Sequence, residues 1–369
     1  MDQNRLAMLA LHFINGIGSH SIKQLVSYCG DAQKVFSTPK GKLMKIPGIG
    51  PTIANAISSK PFTIAEQEIR RAEEQQVNLV FYTDGAFPKR LRQINDSPTL
   101  LYTRGNIDFA IDKSVAVVGT RNATDYGKRL VAELIEGLKP HCPLIVSGLA
   151  YGIDIAAHKM AEQCGLPTVA VLGSGVDVIY PYAHRDTAQR IQENGGLVTE
   201  NPFGTKPDGH NFPARNRIIA GLCDALVVVE AAEKGGALIT ANIANSYNKD
   251  VFAFPGAVDQ TYSSGCNSLI ETNRAHLATG VKDIEYIMNW EPNTEKIAIK
   301  KNATPDLSTL DSNERSVLEL LVNKPQVLID ELSWKSQLPV SQLASVLLTL
   351  EFKGVVKSLP GKAYKLAKD

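Results

Sequence analysis

The sequence predicts an α/β protein built on a parallel sheet, with a small helical module before it and another after it. Three observations carry this. First, three short β-branched strands in the middle of the chain each close on a glycine turn: Ser114–Thr120 (SVAVVGT), Leu144–Gly148 (LIVSG) and Thr168–Gly175 (TVAVLGSG). Each is apolar on both faces, as a strand buried in a parallel sheet must be. Second, strand-like and helix-like segments alternate from Ser114 to about Trp290. Third, both ends of the chain regain helical periodicity outside that block.

Bulk properties narrow the field. At 369 residues the chain has room for more than one domain, and a 44% hydrophobic fraction supports a sizeable core. The net charge of +1 gives no global basic field, so any attraction for nucleic acid must be local. The five cysteines, Cys29, Cys142, Cys164, Cys223 and Cys266, are scattered without CxxC spacing. That argues against a disulfide framework and a zinc site, and Cys164 and Cys223 read as core residues. No segment reaches membrane-spanning length and no leader pattern opens the chain, so a reducing, cytoplasmic compartment is expected.

Residues 1–65 form the first module. Asn15–Gly18 (NGIG) precedes an apolar-periodic stretch, Ser21–Tyr28, and Pro47–Gly50 (PGIG) precedes Thr52–Ser58. This weak repeat reads as helix, glycine turn, helix: the helix-hairpin-helix (SAM-like) pattern. Its glycine amides touch a DNA phosphate or simply let two helices pack; no basic cluster stands beside them. Residues 66–110 read as a connecting segment: a charged helix Glu66–Gln76, a strand-like Val77–Tyr82, and an irregular run broken by Pro88 and Pro98. There Lys89, Arg90 and Arg92 crowd one turn, as part of a nucleic-acid path or, better supported, as a solvated helix joining two domains.

Residues 111–290 form the Rossmann-like core. Helices Tyr126–Leu138 and Ile153–Gln163 follow the first two strands, and Ala225–Glu230 and Asp250–Pro255, separated by helix Ala237–Ser246, complete five strands in βαβ units. A polar linker is expected at 291–307, with Pro292, Asn293, Lys300, Lys301 and Pro305. In 308–369, helices Asn313–Val322, Ile329–Ser336 and Val340–Phe352 precede a hairpin of Gly354–Leu359 and Ala363–Leu366 around Pro360–Gly361. Three helices and a hairpin suggest a winged helix. Its third helix offers Ser341, Gln342, Ser345 and Thr349 but no cation before Lys353, which disfavours sequence-specific duplex reading.

In a parallel sheet the glycine turns share one edge, where amides and helix N-termini can hold anions. Gly119, Thr120 and Arg121 end the first strand; Arg121 offers a bidentate fork. After the second strand, Ser147, Gly148 and Gly152 bracket a turn, and Asp154, on the same side as His158, reads as a cap-region carboxylate bonded to a neighbouring side chain rather than as half of a catalytic or metal pair. Gly173, Ser174 and Gly175 follow the third strand and lead to Tyr180 and Tyr182 around Pro181. Tyr180 either stacks a base or packs beneath its loop. The run His210–Arg217 (HNFPARNR) places Phe212, Arg215, Asn216 and Arg217 before an apolar helix, Ile218–Leu222; the Arg-Asn-Arg set, expected at the helix start, is favoured for anion or backbone binding, the alternative being a surface salt-bridge role with Glu200 and Glu230, which also lie near strand ends. Lys234, Gly235 and Gly236 open a further helix, and Gly256 and Gly265 complete the set. The candidate phosphate ligands are thus these glycines other than Gly256 and Gly265, with the hydroxyls, cations and Asn216; the candidate base-stacking residues are Tyr180, Tyr182 and Phe212. No metal or cofactor is implied.

Together, VAVVGTR, SGLAYGIDIAAH, VLGSGVDVIYP, FPARNRIIAGL, ALITAN and VFAFPG resemble, in order and spacing, the DprA/Smf family of bacterial DNA-processing proteins. FPKRLRQINDSPTLLYTRG resembles its connecting segment, and both flanking modules fit. The resemblance implies a protein that binds single-stranded DNA with little sequence preference, shields incoming DNA in natural transformation, loads the recombinase RecA, and forms a homodimer through the Rossmann-like domain. It maps the family's DNA-binding arginine onto Arg121, its pocket glycines onto Gly119, Gly148, Gly152, Gly173 and Gly175, and its RNR element onto Arg215, Asn216 and Arg217. Three departures stand out: Lys234-Gly235-Gly236 where the family often has SGS, Tyr182 where some members carry a lysine after YP, and Arg274-Ala275 where a Gly-Ala pair is common.

Two classes of function follow. The first is a binding protein, not an enzyme. The second is a nucleotide-processing N-glycosidic bond hydrolase, by analogy with Rossmann-like enzymes carrying PGGxGTxxE. Here Lys234–Asn242 (KGGALITAN) keeps the paired glycines but lacks the glutamate, and Glu200 or Glu230 would have to substitute.

Overall fold

The computed structural model describes residues 2–209, 211–291, 311–321, 326–352, 355–359 and 361–366. Nearly all of the expected linker 291–307, with His210, Val322, Lys353, Gly354 and Pro360, lies outside the described residues. The chain divides into two compact units, Met1–Pro292 and Asn293–Asp369.

The first unit opens with six helices, α1 (Gln3–His12), α2 (Ser19–Cys29), α3 (Ala32–Ser37), α4 (Lys40–Leu43), α5 (Pro51–Ile57) and α6 (Phe62–Glu74). The internal repeat is structural. Gly16 (φ 83°) and Gly48 (φ 78°) make left-handed turns, and Gly18 and Gly50 then stand as extended N-caps of α2 and α5. Strand β1 (Asn78–Phe81), helix α7 (Lys89–Arg92) and strand β2 (Leu100–Gly105) follow. Then come β3 (Ser114–Val118), α8 (Asp125–Gly137), β4 (Leu144–Ser147), α9 (Ile153–Gln163), β5 (Thr168–Val171), α10 (Arg185–Arg190), β6 (Gly195–Thr199), α11 (Asn211–Leu222), β7 (Ala225–Val228), α12 (Gly236–Ser246), β8 (Asp250–Ala253), α13 (Ser264–Glu271), β9 (His276–Leu277) and α14 (Val281–Met288).

All nine strands form one sheet in the order β1-β2-β6-β5-β4-β3-β7-β8-β9. From β6 to β9 the pairs are parallel, and β2 joins β6 antiparallel. In the segment 66–110, read from sequence as a connector, the strand-like Val77–Tyr82 contains β1, and with β2 it extends the sheet, pairing Leu79 with Tyr102 and Tyr102 with Thr199, an extension the sequence reading did not expect. Strand alternation explains the coverage of both faces. Val80, Leu101, Val169, Val171 and Val198 pack with α7, α11, α12 and α13 on one face. Phe81, Tyr102, Ala170 and Leu197 point to the other face, where the N-terminal helices cover them. Helices α8, α9 and α14 cover the rest of that face over Val115, Val117, Ile145, Ala225 and Phe252. The helical module thus shares a core with the sheet. Buried Glu68 of α6 fastens it, accepting from Tyr102 Oη and Phe203 N, both at 2.9 Å.

The second unit has helices Ser312–Leu321, Ile329–Ser336 and Val340–Phe352 and three strands, Val327–Leu328, Val356–Leu359 and Ala363–Leu366, the last one central. Val317, Leu321, Leu332, Leu343, Leu347 and Val356 form its core. This is the expected winged helix. No helix among the described residues is long and apolar enough to cross a membrane.

Candidate functional site

The chain runs β3-β4-β5-β6 outward in one direction and then returns to place β7 on the other side of β3. At such a reversal two neighbouring crossovers diverge, leaving a crevice beyond the carboxyl ends. A cleft of about 580 Å³ lies there, walled by Val118–Asn122 at the end of β3, Ala231, Ala232 and Lys234–Ala237 after β7, and Phe212, Arg215 and Asn216 of α11. Its lining carries three cations, Arg121, Arg215 and Lys234, against one carboxylate, Asp154.

The turns are built by close approach. Gly152 (φ 79°) sits so near the Thr120 carbonyl that a Cβ would overlap it, so the first two βα turns touch. Ile153 N donates to Thr120 O at 3.2 Å, and Asn122 N to Thr120 Oγ1 at 3.2 Å. A Cβ on Gly148 would overlap the Arg215 guanidinium. Arg215 is buried, and its Nη1 donates to Gly148 O at 2.7 Å and to Val171 O. Its Nε has no partner among the described residues. Burial brings the Arg215 pKa down to about 10, against the pull of Asp154, and Arg121 pushes the same way. Asp154 is pushed up by burial and held back by Arg215, and it accepts from Gly148 N at 3.2 Å. His158 does not join it. Its Nδ1 lies 2.7 Å from Thr168 Oγ1.

Arg121 is exposed and lies 5.6 Å from the centroid of Phe212. Phe212 meets Tyr180 at 5.8 Å, and both rings border a small recess with Arg121 and Arg215. Tyr182 is 73% exposed, with Arg185 over its ring. Lys234 is exposed beside the start of α12, whose first amides are orphan donors as at any helix N-terminus. Asn216 braces that start, its Nδ2 reaching Gly236 O at 3.4 Å. Neither Arg121 nor Lys234 has a carboxylate partner among the described residues. A second cleft, about 700 Å³, adjoins Arg121 and is walled by Lys128, Tyr151, Gly152 and Lys159.

A family model described as DNA recombination-mediator protein A matches residues 78–289. The chain belongs to the DprA family. A DprA winged helix domain matches 301–362, and a SAM-like helix-hairpin-helix tandem matches 40–79. Protein Smf of Synechocystis sp. is 32% identical over 394 residues, covering 97% of each chain. The X-ray structure of DNA processing protein A (DprA) from Streptococcus pneumoniae superposes with a TM-score of 0.68 at 33% identity, covering 79% of this chain and 99% of that one. DNA processing protein A from Helicobacter pylori, whose structure is described for its single-stranded DNA binding mode, gives 0.52 at 28% identity over 58% of this chain and 98% of its own.

In this DprA-family chain the cleft gathers Gly119, Thr120, Arg121, Arg215, Asn216, Lys234, Gly235, Gly236 and Phe212, while Gly148, Gly152 and Tyr180 border the adjoining recesses. It does not gather the third turn. Gly173 stands under Phe212, and buried Ser174 donates to Val178 O at 2.6 Å. Gly175 abuts the Pro202 carbonyl. These positions shape the loop that carries Tyr180. Ser147 is likewise buried, tying β4 to Val117 O at 2.6 Å.

The Arg-Asn-Arg set was expected at a helix start, but α11 begins at Asn211, so the set lies inside the helix. Residues two apart on a helix do not face each other. Arg217 accordingly points away from the cleft, pairing with Glu200 and donating to Asp96 O at 2.5 Å. Glu230 is also engaged. It lies buried beneath the first turn and accepts from Thr124 N at 3.0 Å and Thr124 Oγ1 at 2.5 Å. Sequence reading missed Asn122, which donates to Tyr262 Oη at 3.0 Å on the cleft wall, as well as Lys128, Tyr151 and Lys159. Asn122 was findable as the next residue after Arg121. The lysines carried no signal, because their helix faces are set by packing.

Proposed function

We propose that the cleft grips the sugar-phosphate chain of single-stranded DNA, with phosphates on Arg121, Lys234 and the amides opening α12, and bases turned toward Phe212, Tyr180 and Tyr182. One observation carries this reading: Arg121, without a carboxylate partner among the described residues, stands at the junction of two clefts, stacked on a ring that can itself take a base. The likeness to the Helicobacter pylori protein supports the same class of ligand.

The wider reading follows the family resemblance. The protein shields incoming strands in the cytoplasm during transformation and recombination, and hands them to RecA. It works as a homodimer through the sheet domain; exposed Leu277 on β9 and Tyr286 and Ile287 on α14 support an apolar contact there. It binds rather than catalyses, since Glu200 and Glu230, the carboxylates a glycosidic hydrolase would need, are held by Arg217 and Thr124.

The deciding experiment titrates wild-type protein and Arg121→Ala with a fluorescent oligonucleotide at several salt concentrations. The variant is expected to lose at least about tenfold in affinity and to show a flatter salt dependence, because one cation no longer displaces counterions. Equal affinity and equal salt slope in the two proteins would overturn the reading.

A further inference from the structure

We propose that the strand-binding track does not end at the main cleft but runs on between α12 and α13 to a second phosphate subsite at Arg274. This rests on the single-strand reading above and extends its footprint. A groove of about 360 Å³ there shares Lys234, Gly235 and Ile239 with the main cleft, so the two are continuous along one wall. Its far end is Arg274, which is exposed.

The Arg274 side chain is held in place by neutral groups. Its Nε donates to Thr272 Oγ1 at 2.9 Å and its Nη1 to Asn242 Oδ1 at 3.3 Å. The main chain is fixed too, with Arg274 N on Leu269 O at 2.8 Å and Asn245 Nδ2 on Arg274 O at 2.8 Å. A guanidinium oriented by neutral partners keeps its full charge and pays little ordering entropy when an oxyanion arrives. The groove wall has one carboxylate, Glu233, against Lys234 and Arg274. Ile239, 45% exposed where the two clefts meet, gives a base an apolar surface between the two cations. A phosphodiester chain leaving the main cleft at Lys234 therefore meets an apolar step and then a waiting cation. An apolar peptide would gain nothing from Arg274.

The test compares wild type, Arg274→Ala, Arg274→Lys and Arg121→Ala on oligonucleotides of about 4 and about 20 nucleotides, short and long against ordinary single-strand site sizes. Arg274→Ala should weaken binding of the long strand severalfold, lower its salt slope by about 0.7, and leave the short strand unchanged. Arg274→Lys should restore the slope. Wild-type behaviour of Arg274→Ala on both lengths, or an equal loss on both, overturns the subsite. Loss in Arg121→Ala without loss in Arg274→Ala leaves the main cleft standing alone, and indifference to both substitutions overturns both readings.

Discussion

The two edges of the sheet use charge in opposite ways. At the amino edge charges are consumed in pairs. Arg90 grips both carboxylate oxygens of Asp224, each at 2.7 Å, and the carbonyls of Ile111 and Asp112. Asp224 also accepts from Ser114 N at 2.9 Å. Buried His141 bridges Glu285 at 2.7 Å and Lys113 at 3.0 Å. At the carboxyl edge Arg121 and Lys234 have no such partners among the described residues. The difference separates cations that hold strands in register from the exposed cations proposed to hold the phosphates. Arg215 and Arg217 lie at the same edge as Arg121 yet belong with the first kind, by burial and by ion pairing.

That classification breaks or holds first at Arg215. Arg215→Ala would leave the Gly148 and Val171 carbonyls and the Asp154 carboxyl buried beside an empty space. It should cost about 3–5 kcal/mol, as expected when one member of a buried charged set is removed. Arg121→Ala, at an exposed position, should change stability by less than about 0.5 kcal/mol. Urea unfolding of both variants measures the contrast. If the two melt alike, Arg215 is not a scaffold cation and the division between the edges fails.

The next effect in size is acid sensitivity at the same spot. Thr168 Oγ1 donates to Ile145 O at 3.1 Å, so it must accept from His158 Nδ1–H. Nε2 is then bare, buried and without a partner among the described residues. Burial, then Arg215 and His184, lowers the His158 pKa to about 3. The unfolded chain, with an ordinary value near 6.5, binds a proton that the native state refuses. Stability is therefore present above about 6.5 and is lost as pH falls toward 3, by about 1.4 kcal/mol per pH unit for this one group. Stability measured across that window should fall less steeply in His158→Gln. A wild-type slope in the variant would show that His158 protonates freely.

Legibility followed physical range. The strands β3, β4, β5, β7 and β8 and the helices α8, α9 and α12 were readable because β-branched runs and glycine turns are local signals. The winged helix was readable in the same way, with Ile329–Ser336 and Val340–Phe352 found at their observed bounds. Strand β6 was missed because Gly195 and Gly196 weaken its strand character; β1 was legible as the strand-like Val77–Tyr82, but β2 and its pairing with β1 and β6 were not, because those contacts are non-local. In the site, the turn residues Gly119, Thr120 and Arg121 were readable from position alone. The split between Arg215 and Arg217 was not: adjacency in sequence suggests one cluster, and only the helix, about 100° per residue, sends them to different surroundings. The role of Gly148 was hidden for the same reason, since its need for glycine comes from Arg215, far along the chain.

The smallest expected effect concerns the second unit. On its third helix Ser345 and Thr349 donate back to Ser341 O and Ser345 O, at 3.4 and 2.9 Å, so the exposed face offers few free donors to base edges. The hairpin does carry Lys357, Lys362 and Lys365. Lysines on a wing can touch phosphates without reading sequence. Removing residues 293–369 should therefore lower single-strand affinity by no more than about threefold at low salt, with the difference vanishing as salt rises. The first unit keeps its own core in such a truncation, so the comparison is clean. A salt-independent loss of about tenfold or more would mean that this module contributes contacts other than phosphate attraction, and the contrast between open and paired cations would no longer locate the whole interface.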